Sequence, residues 1–563
     1  MIYHCEDHTC NYWDEGEKLP ERCPQCGRKL LRANEADMTG DDWTALGNTL
    51  WDAEASDKKR MVDCFRKAAY LGSAWGVCNL GICMEQGNGV EADPVQAFWL
   101  YQQAVEMGSL NAVCCLGVCY QYGIGTAPDA EKAAELYCKA AEYGSPRGQM
   151  LLARAFHDGI GVEADAAEAV HWVRAAAYQR YGEGMYRLGV CYEYGDGVEQ
   201  NWEHAVHWFR EAAESGVSMA MTDLGYCYEK GCGVEQSWEQ AFSWYRRGAE
   251  CGYPVSMSNL GLCYKRGYGV EQNWQEAVKW YEQGAQCGHL QSMNNLAYCY
   301  ERGEGVEQNE DRALYWYRRG AEAGSDYCMY CLGWNYSNGE GVEQNMTEAI
   351  RWYTAAAEGG NADAMHDLGW HYDHGEGVEQ DMKKAICWYE RAAEQNHPAA
   401  MNSLGECYAM GRGVPRDLET AMEWYRRAAE LGEAMADYNM GWHLEQAGKL
   451  SEAYAHYRKA ADGNDDSAWW ALGRFYENGV VVAQDGKEAR CCYETGEKLG
   501  SVKCKMRLAR CKLLGIGGRR AKKAGLDLCR QALELAKESS EKEDYGYEAE
   551  MNLLRRTIAE NES

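Results

Sequence analysis

The apolar residues of the chain recur with the period of a helix face. In one representative stretch they have the spacing i, i+1, i+4, i+7 and i+8, at Ala220, Met221, Leu224, Cys227 and Tyr228. This predicted helix ends at Gly231, because glycine readily adopts the left-handed conformation found at helix C-termini. A second apolar helix face follows at Ala241, Trp244, Tyr245, Gly248 and Ala249. The pattern therefore predicts a helical hairpin.

The same hairpin returns along the chain with a constant period. Its central leucine, which we call the anchor, recurs every 36 residues at Leu80, Leu116, Leu152, Leu188, Leu224, Leu260, Leu296, Leu332, Leu368 and Leu404. Met440 takes the eleventh place, and weaker anchors at Leu46, Leu472 and Leu508 bring the total to about fourteen. The phrases Leu-Gly-x-Cys-Tyr, Gly-x-Gly-Val-Glu-Gln and Ala-x-x-Trp-Tyr, or variants of them, recur with this period. The chain is therefore predicted to be a repeat protein.

These phrases resemble the Sel1-like repeat, a relative of the tetratricopeptide repeat, over roughly residues 40–516. The resemblance implies an all-α fold, namely a right-handed α/α solenoid superhelix of about fourteen 36-residue helical hairpins whose first helices line a concave groove. It also implies a protein–protein interaction scaffold or adaptor with no catalysis of its own. We divide the chain into a zinc-ribbon-like module (1–37), a Sel1-like repeat solenoid (38–516) and a C-terminal helical cap (517–563).

The negative net charge of the chain disfavours two classes of binding partner, nucleic acids and membranes. Its 563 residues contain 57 Lys and Arg against 87 Asp and Glu, which gives a net charge of −30. Such an acidic chain has no general attraction for phosphate backbones or anionic lipid, so we expect neither nucleic acid nor membrane as a partner. No apolar run approaches the roughly 20 residues that span a bilayer. We expect a protein or peptide partner.

The cysteines indicate the compartment. Of the 27 cysteines, eight lie three residues after an anchor on the predicted buried face, at Cys83, Cys119, Cys191, Cys227, Cys263, Cys299, Cys407 and Cys511. A free cysteine behaves there as a small apolar residue. Most repeats lack a fixed second cysteine, and the first residues do not resemble a secretory signal. We therefore expect reduced thiols in a cytoplasmic, bacterial protein.

The N-terminal module carries a candidate zinc site. Its spacing C-x4-C-x12-C-x2-C, at Cys5, Cys10, Cys23 and Cys26, resembles a zinc ribbon, although the first pair departs from the usual x2 spacing. His8 is an alternative to Cys10, because it stands at x2 spacing from Cys5. The absence of a metal is a third possibility. We predict a structural zinc held by the four cysteines, since four protein ligands leave no position for a substrate.

Candidate partner-binding residues follow from the analogy with tetratricopeptide repeats. The groove positions there lie two residues before the anchor and two, five and six residues after it. From these positions we select Arg266, Asn294, Tyr298, Arg302, Tyr330, Trp334, His366, Trp370, Asn402, Tyr438 and Trp442. Aromatic and arginine side chains with amide donors suit an extended peptide or a protein loop. The alternative is that some of these aromatics only pack between hairpins.

Other functions find less support in the sequence. The Gly-x-Gly loops follow helices and not strands, so they end helices and do not bind nucleotides. Ser56-x-x-Lys59 and Ser539-x-x-Lys542 match the first penicillin-binding motif, but its Ser-Asp-Asn and Lys-Thr-Gly partners are missing. His366, His371 and His374 share no clean ligand face. Two alternatives remain open: a sensor of a small molecule or glycan, and an enzyme resembling family members labelled as β-lactamases or penicillin binders.

Overall fold

A computed structural model describes the backbone of residues 2–5, 13–15, 30–33, 38–51, 55–542 and 548–562, and the side chains of 38–51, 57–537 and 548–561. The chain divides into two compact units, Met1–Ser292 and Met293–Ser563. Within the described residues there are 29 helices and three short strands. None of these helices is long and apolar enough to cross a membrane.

The helices alternate as the first and second members of hairpins. The first helices are α1 (Gly40–Thr49), α3 (Ala74–Gln86), α5 (Leu110–Tyr122), α7 (Pro146–Asp158), α9 (Gly182–Tyr194), α11 (Ser218–Lys230), α13 (Pro254–Arg266), α15 (Leu290–Arg302), α17 (Asp326–Asn338), α19 (Ala362–His374), α21 (Pro398–Met410), α23 (Ala434–Gln446), α25 (Asp466–Asn478) and α27 (Val502–Leu514). The second helices are α2 (Ala55–Tyr70), α4 (Pro94–Glu106), α6 (Ala130–Glu142), α8 (Ala166–Tyr178), α10 (Trp202–Glu214), α12 (Trp238–Glu250), α14 (Trp274–Gln286), α16 (Glu310–Glu322), α18 (Met346–Glu358), α20 (Met382–Glu394), α22 (Leu418–Glu430), α24 (Leu450–Asp462), α26 (Gly486–Lys498) and α28 (Lys522–Lys542).

Each helix packs on the one before it. This holds from α1 to α14 in the first unit and from α16 to α28 in the second unit. A last helix, α29 (Glu548–Glu562), packs on both α27 and α28. The prediction of an α/α solenoid of fourteen consecutive hairpins is therefore confirmed, and the fourteenth hairpin is formed by α27 and α28.

The N-terminal strands form a small antiparallel sheet. Strands β1 (Ile2–Cys5), β2 (Trp13–Glu15) and β3 (Leu30–Ala33) are arranged in the order β2-β1-β3. Tyr3 is paired with Asp14 on one side and with Arg32 on the other.

The predicted zinc ligands fall mostly outside this sheet. Cys5 is the last residue of β1. Cys10, Cys23, Cys26 and the alternative ligand His8 lie outside the described residues. The zinc site therefore stays a prediction.

The phrase Gly-x-Gly-Val-Glu-Gln ends one helix and leads into the next. Gly195 ends α9 in the left-handed region, at φ 75°. The Nε2 of Gln200 then donates to the carbonyl of Glu193 (2.8 Å), which lies in the last turn of α9. The side chain of Asn201 caps α10 by accepting from the backbone N–H of His204 (3.0 Å). The loop is thus a capping device for two helices.

The tyrosine of Ala-x-x-Trp-Tyr, or of a variant of that phrase, lies at the centre of ten of the hairpins. It is at most 2% exposed at Tyr101, Tyr137, Tyr245, Tyr281, Tyr317, Tyr353, Tyr389, Tyr425, Tyr457 and Tyr493. The eight cysteines predicted on the buried face are all buried, at 9% exposure or less. Leu224 and most other anchors are likewise buried. The helix faces read from the sequence are therefore confirmed.

An ion-pair network holds the last helix in place. Arg507 of α27 donates from Nε and Nη2 to the two carboxylate oxygens of Glu550 in α29, both at 2.7 Å. Its Nη1 also donates to Glu477 of α25 at 3.3 Å. All three side chains are at most 14% exposed. The network therefore joins three helices at the end of the second unit.

Candidate functional site

The first helices expose one row of side chains two residues after the anchor. Two residues turn an α-helix by about 200°, so this position faces away from the buried anchor. In the second unit the row contains Trp334, Trp370 and Trp442, which are 46%, 37% and 38% exposed. Tyr298 occupies the same repeat position and is half-buried. We call Trp334, Trp370 and Trp442 the tryptophan row.

The tryptophans of the row are held by neighbours on their own helices. The ring of Trp370 stacks on His374 with 4.3 Å between centroids and 23° between planes. Nδ1 of His374 lies 3.0 Å from the carbonyl oxygen of Trp370. Trp442 contacts the ring of His443 edge-on at 4.7 Å. Rings fixed in this way lose little conformational entropy when a partner covers them.

The predicted residues two before the anchor contact the next repeat. The Tyr330 hydroxyl donates to Asp367 (3.2 Å), and burial is the largest cause that raises the pKa of Tyr330. His366 lies against Asp367 (3.1 Å) and within 3.4 Å of the Ser403 hydroxyl. Tyr438 is half-buried, and burial raises its pKa to about 12. These three side chains are half-buried and therefore less exposed than the tryptophan row.

Two predicted asparagines are buried. Asn294 is 7% exposed, and its Oδ1 accepts from the Ser325 hydroxyl (3.2 Å). Asn402 is 6% exposed, accepts from Asn439 Nδ2 (3.0 Å) and donates to Glu406 (3.1 Å). Both amides are satisfied by contacts within and between repeats. They therefore support packing and are not presented to a partner.

The predicted arginines lie at the ends of first helices. Arg302 is exposed at the end of α15, 3.9 Å from Glu301, and its guanidinium lies 5.8 Å from the centre of the Tyr298 ring. Arg266 is exposed at the end of α13 in the first unit. The structure therefore brings Arg302 and Tyr298 together, and it places Arg266 in the other unit.

Charge within the tryptophan row is partly compensated. Glu406 takes the position between Trp370 and Trp442. Arg412 donates from Nη1 to both carboxylate oxygens of the buried Asp373 (2.9 and 3.0 Å) and lies 3.8 Å from Glu406. The row therefore presents aromatic surface beside a cluster in which one arginine offsets the charge of one of two carboxylates.

The three histidines of α19 act separately. His366 contacts Asp367, whereas His371 is 4% exposed, lies 3.1 Å from the Glu376 carbonyl, and has a pKa lowered by burial. His374 stacks on Trp370. Within the part of the chain that the structure describes, no group of three or more His, Cys, Asp or Glu residues could hold a metal. The side chains of Ser56 and Ser539 lie outside the described residues.

Sequence reasoning missed a recurrent polar contact behind the face. The Tyr245 hydroxyl donates to Glu229 (2.8 Å), and Tyr317 donates in the same way to Glu301 (2.7 Å). The same bond occurs at Tyr101, with Glu85 (2.6 Å). In each pair the acid precedes the tyrosine by 16 residues. That constant separation is a signal that the sequence already contained.

The repeats match a known family. The family model described as "Sel1 repeat" matches residues 76–109, 112–145, 146–181, 182–217, 218–253, 254–289, 290–325, 326–361, 362–397, 398–433, 434–465 and 468–501. The chain belongs to the Sel1 repeat family. Sel1 repeat proteins are generally protein-interaction scaffolds and generally not enzymes. No curated protein matches this Sel1 repeat chain significantly.

Solved structures of other Sel1 repeat proteins resemble it. One is c5321, a protective antigen present in uropathogenic Escherichia coli strains and displaying an SLR fold. It is 29% identical, with a TM-score of 0.54, over 76% of this chain and 94% of that chain. Another is a Sel1 repeat protein from Oxalobacter formigenes, which is 32% identical with a TM-score of 0.40 over 43% of this chain and 96% of that chain.

Proposed function

We propose that the second unit binds an extended segment of a partner protein along the tryptophan row, and that the chain acts as a scaffold or adaptor without catalysis. The observation that carries the proposal is the exposure of three tryptophans at one repeat position, on α17, α19 and α23. Exposed, aligned tryptophans are uncommon on a surface that only faces water, and tryptophan is enriched among residues that dominate binding energy.

The surroundings of the row support a peptide as the ligand. Extended segments place successive side chains at regular intervals, and the tryptophan row offers aromatic surfaces at one repeat position on α17, α19 and α23, with Glu406 at that position on α21. Exposed Asn338 and His374 border the rings of Trp334 and Trp370 and provide groups that form hydrogen bonds with a main chain. Arg302 beside Tyr298 adds a positive charge at α15. The partner segment is therefore expected to contain apolar or aromatic side chains.

Affinity purification from the native host tests this proposal. The full chain and its Trp334→Ala/Trp370→Ala variant are tagged, and the proteins that each retains are compared. Tyr315→Ala is the matched control, since Tyr315 is an aromatic residue on the second helix α16 and is 52% exposed. We expect the double variant to lose a partner protein that the Tyr315→Ala variant retains. The two variants should have equal midpoints of thermal unfolding. Equal retention by both variants would overturn the proposal.

We also propose that the N-terminal module holds a structural zinc through Cys5, Cys10, Cys23 and Cys26. The cysteine spacing supports this, as does the small size of the module, because so few residues bury too little apolar surface to fold alone. We also propose a cytoplasmic location, because the 23 cysteines whose side chains the structure describes are free thiols.

A further inference from the structure

A cavity of about 520 Å³ lies in the first unit. It is lined by residues of α7, α8 and α9. Three arginines contribute to its wall, Arg147, Arg154 and Arg187. We call it the arginine cavity. A volume of this size is typical of sites that hold small organic ligands.

Two of the three acids that line the arginine cavity have basic partners. Asp158 accepts from Arg154 Nε (3.3 Å) and lies 2.7 Å from His157 Nδ1. Asp196 lies 3.3 Å from the other nitrogen of His157. The hydrogen bond between His157 and Asp158 is the largest cause of two pKa shifts: it raises the pKa of His157 and lowers the pKa of Asp158. One arginine and one histidine therefore neutralise these two carboxylates.

Two arginines of the cavity have no carboxylate partner. Arg147 donates from Nη1 to the Cys115 sulfur (3.5 Å), and no described acid lies within ion-pair distance of it. Arg187 of α9 is exposed, lines the same cavity, and has no ion pair with any residue that the structure describes. A guanidinium without an acid favours binding of an anion from solution.

The lining also contains apolar side chains. Val170 and Val173 of α8 are 3% and 6% exposed, and Met150 and Val190 complete this part of the wall. Apolar surface of this kind favours a hydrocarbon group over water. A strongly hydrated dianion such as phosphate gains nothing from this apolar surface and is opposed by Glu183, a lining acid without an ion pair among the described residues. The arrangement suits a single negative charge attached to an apolar body.

We propose that the arginine cavity binds an apolar carboxylate, with Arg147 and Arg187 holding the carboxylate and the valines and Met150 holding the apolar body. Two sources share this chemistry: a free organic acid, and the C-terminus of a peptide that ends in an apolar residue. The proposal does not depend on the tryptophan row, because the two sites lie in different units.

Calorimetric titration of the full chain tests the proposal. The probes are octanoate, 1-octanol, inorganic phosphate, and a short peptide ending in leucine as the free acid and as the C-terminal amide. Binding of octanoate without the peptide acid identifies a free acid as the ligand class. Binding of the peptide acid but not of its amide identifies a peptide C-terminus. Binding of 1-octanol as tight as that of octanoate, binding of phosphate alone, or binding of no probe would overturn the proposal.

Variants separate the arginines from general effects of charge. Arg187→Gln is expected to weaken binding of the carboxylate probe by about tenfold, because a charged hydrogen bond is lost. The matched control is Arg246→Gln, since Arg246 is an exposed arginine of the first unit that pairs with Glu250 outside the cavity. Arg147→Lys retains the charge and is a second test if Arg187→Gln changes the circular dichroism spectrum. Equal affinities of Arg187→Gln and Arg246→Gln for octanoate would contradict the proposal.

Discussion

Gly225 lies directly against the ring of Tyr245, so that a Cβ built on this glycine would come within 2.6 Å of the ring carbon Cε1. Gly261 has the same relationship to Tyr281, at 2.5 Å. The glycine of Leu-Gly and the tyrosine of Trp-Tyr therefore form one packing contact, which joins the two helices of a hairpin. This contact explains why the two phrases occur together along the sequence.

Substitution of Gly225 is expected to destabilise the fold in proportion to the added volume. The repeat of Leu296 carries Ala297 against Tyr317, and both are buried, so the ring is able to move aside for one methyl group. We therefore expect Gly225→Ala to cost about 1 kcal/mol and Gly225→Val to cost about 3 kcal/mol. Urea unfolding of the full chain measures both. Equal losses in the two variants would contradict the contact with the ring as the cause.

The hydrogen bond from Tyr245 to Glu229 leads to two opposite predictions, one for removal of the hydroxyl and one for its addition in the neighbouring repeat. Tyr245→Phe removes the donor and is expected to cost about 1–2 kcal/mol, because Glu229 is left without it. One repeat earlier the position is Phe209, facing Glu193, whose pKa is raised by burial and by Asp223. Phe209→Tyr supplies the missing donor and is expected to stabilise that hairpin by about 1 kcal/mol.

Hydrogen exchange of the two hairpins provides the measurement for this pair. Tyr245→Phe should accelerate exchange in α11 and α12, and Phe209→Tyr should slow it in α9 and α10. Each variant is the control for the other, since they change the same hydroxyl at equivalent positions of neighbouring repeats. Faster exchange in both would show that the site at Phe209 has no room for the hydroxyl.

The stability of the second unit is expected to depend on pH through Asp465. Burial raises the pKa of this carboxyl group from its ordinary value of 3.8 to about 6. The folded state therefore favours the protonated acid, and this contribution is complete below pH 4 and lost as the pH rises through 6. Asp465→Asn keeps the cap on the Ala468 N–H and removes the charge. It should raise stability at pH 8 by about 1–2 kcal/mol.

Thermal unfolding of the Asp465→Asn variant at several pH values checks this prediction. The gain over the unmodified protein should fall to a few tenths of a kcal/mol at pH 3.5, where the aspartate is mostly protonated in both states. The control is Asp417→Asn, because Asp417 is also a helix cap but its pKa is lowered by its bonds to Thr420. A gain from Asp465→Asn that is the same at both ends of the pH range would rule out titration as its cause.

Arg507 is expected to be essential for docking of α29. Removal of this guanidinium leaves the buried Glu550 without its partner, whereas Glu477 keeps Arg510, and breaking a buried pair costs about 3–5 kcal/mol. Arg507→Ala should therefore expose α29 to limited proteolysis while α16–α24 keep their protection. The control is Arg530→Ala, because Arg530 is 59% exposed on α28 and its side chain is expected to contribute little. Equal cleavage of the two variants would contradict this account of the network.

Removal of zinc is expected to unfold the N-terminal module alone. A chelator should release about one zinc per chain, and far-ultraviolet circular dichroism should change little because the helices lie outside residues 1–37. Cys23→Ser/Cys26→Ser should abolish zinc binding. Comparison of Cys10→Ser with His8→Ala identifies the fourth ligand. A collapse of the helical signal on chelation would contradict the division into two modules.

The sequence contained most of the fold because each repeat satisfies its own helix caps and core. The anchor leucines, the buried cysteines and the exposed position at Trp334 all follow from helix periodicity. The neighbourhood of Asn402 did not, because its burial depends on Asn439 of the next repeat and on Glu406. The analogy with tetratricopeptide repeats predicted which positions belong to the groove. It did not predict which side chains of this protein bury those positions.

The arginine cavity had no signature in the repeat pattern. Arg147 and Arg187 are 40 residues apart and occupy different positions relative to their anchors. They come to line one cavity only because α7 and α9 pack around α8. Contacts of this kind depend on the three-dimensional arrangement of the helices, which the period alone does not specify.

The second glycine of each loop has a consequence for how such a protein diversifies. A methyl group on Gly197 would overlap the carbonyl oxygen of Ala166, so in the first unit the main chain of one loop rests on the main chain that begins α8. Gly233 rests in the same way on Trp202. The interval between neighbouring repeats is thus fixed by atoms that every residue has in common. Outward-facing side chains therefore do not set the distance between repeats. They can be substituted during evolution to bind new ligands while that distance stays constant.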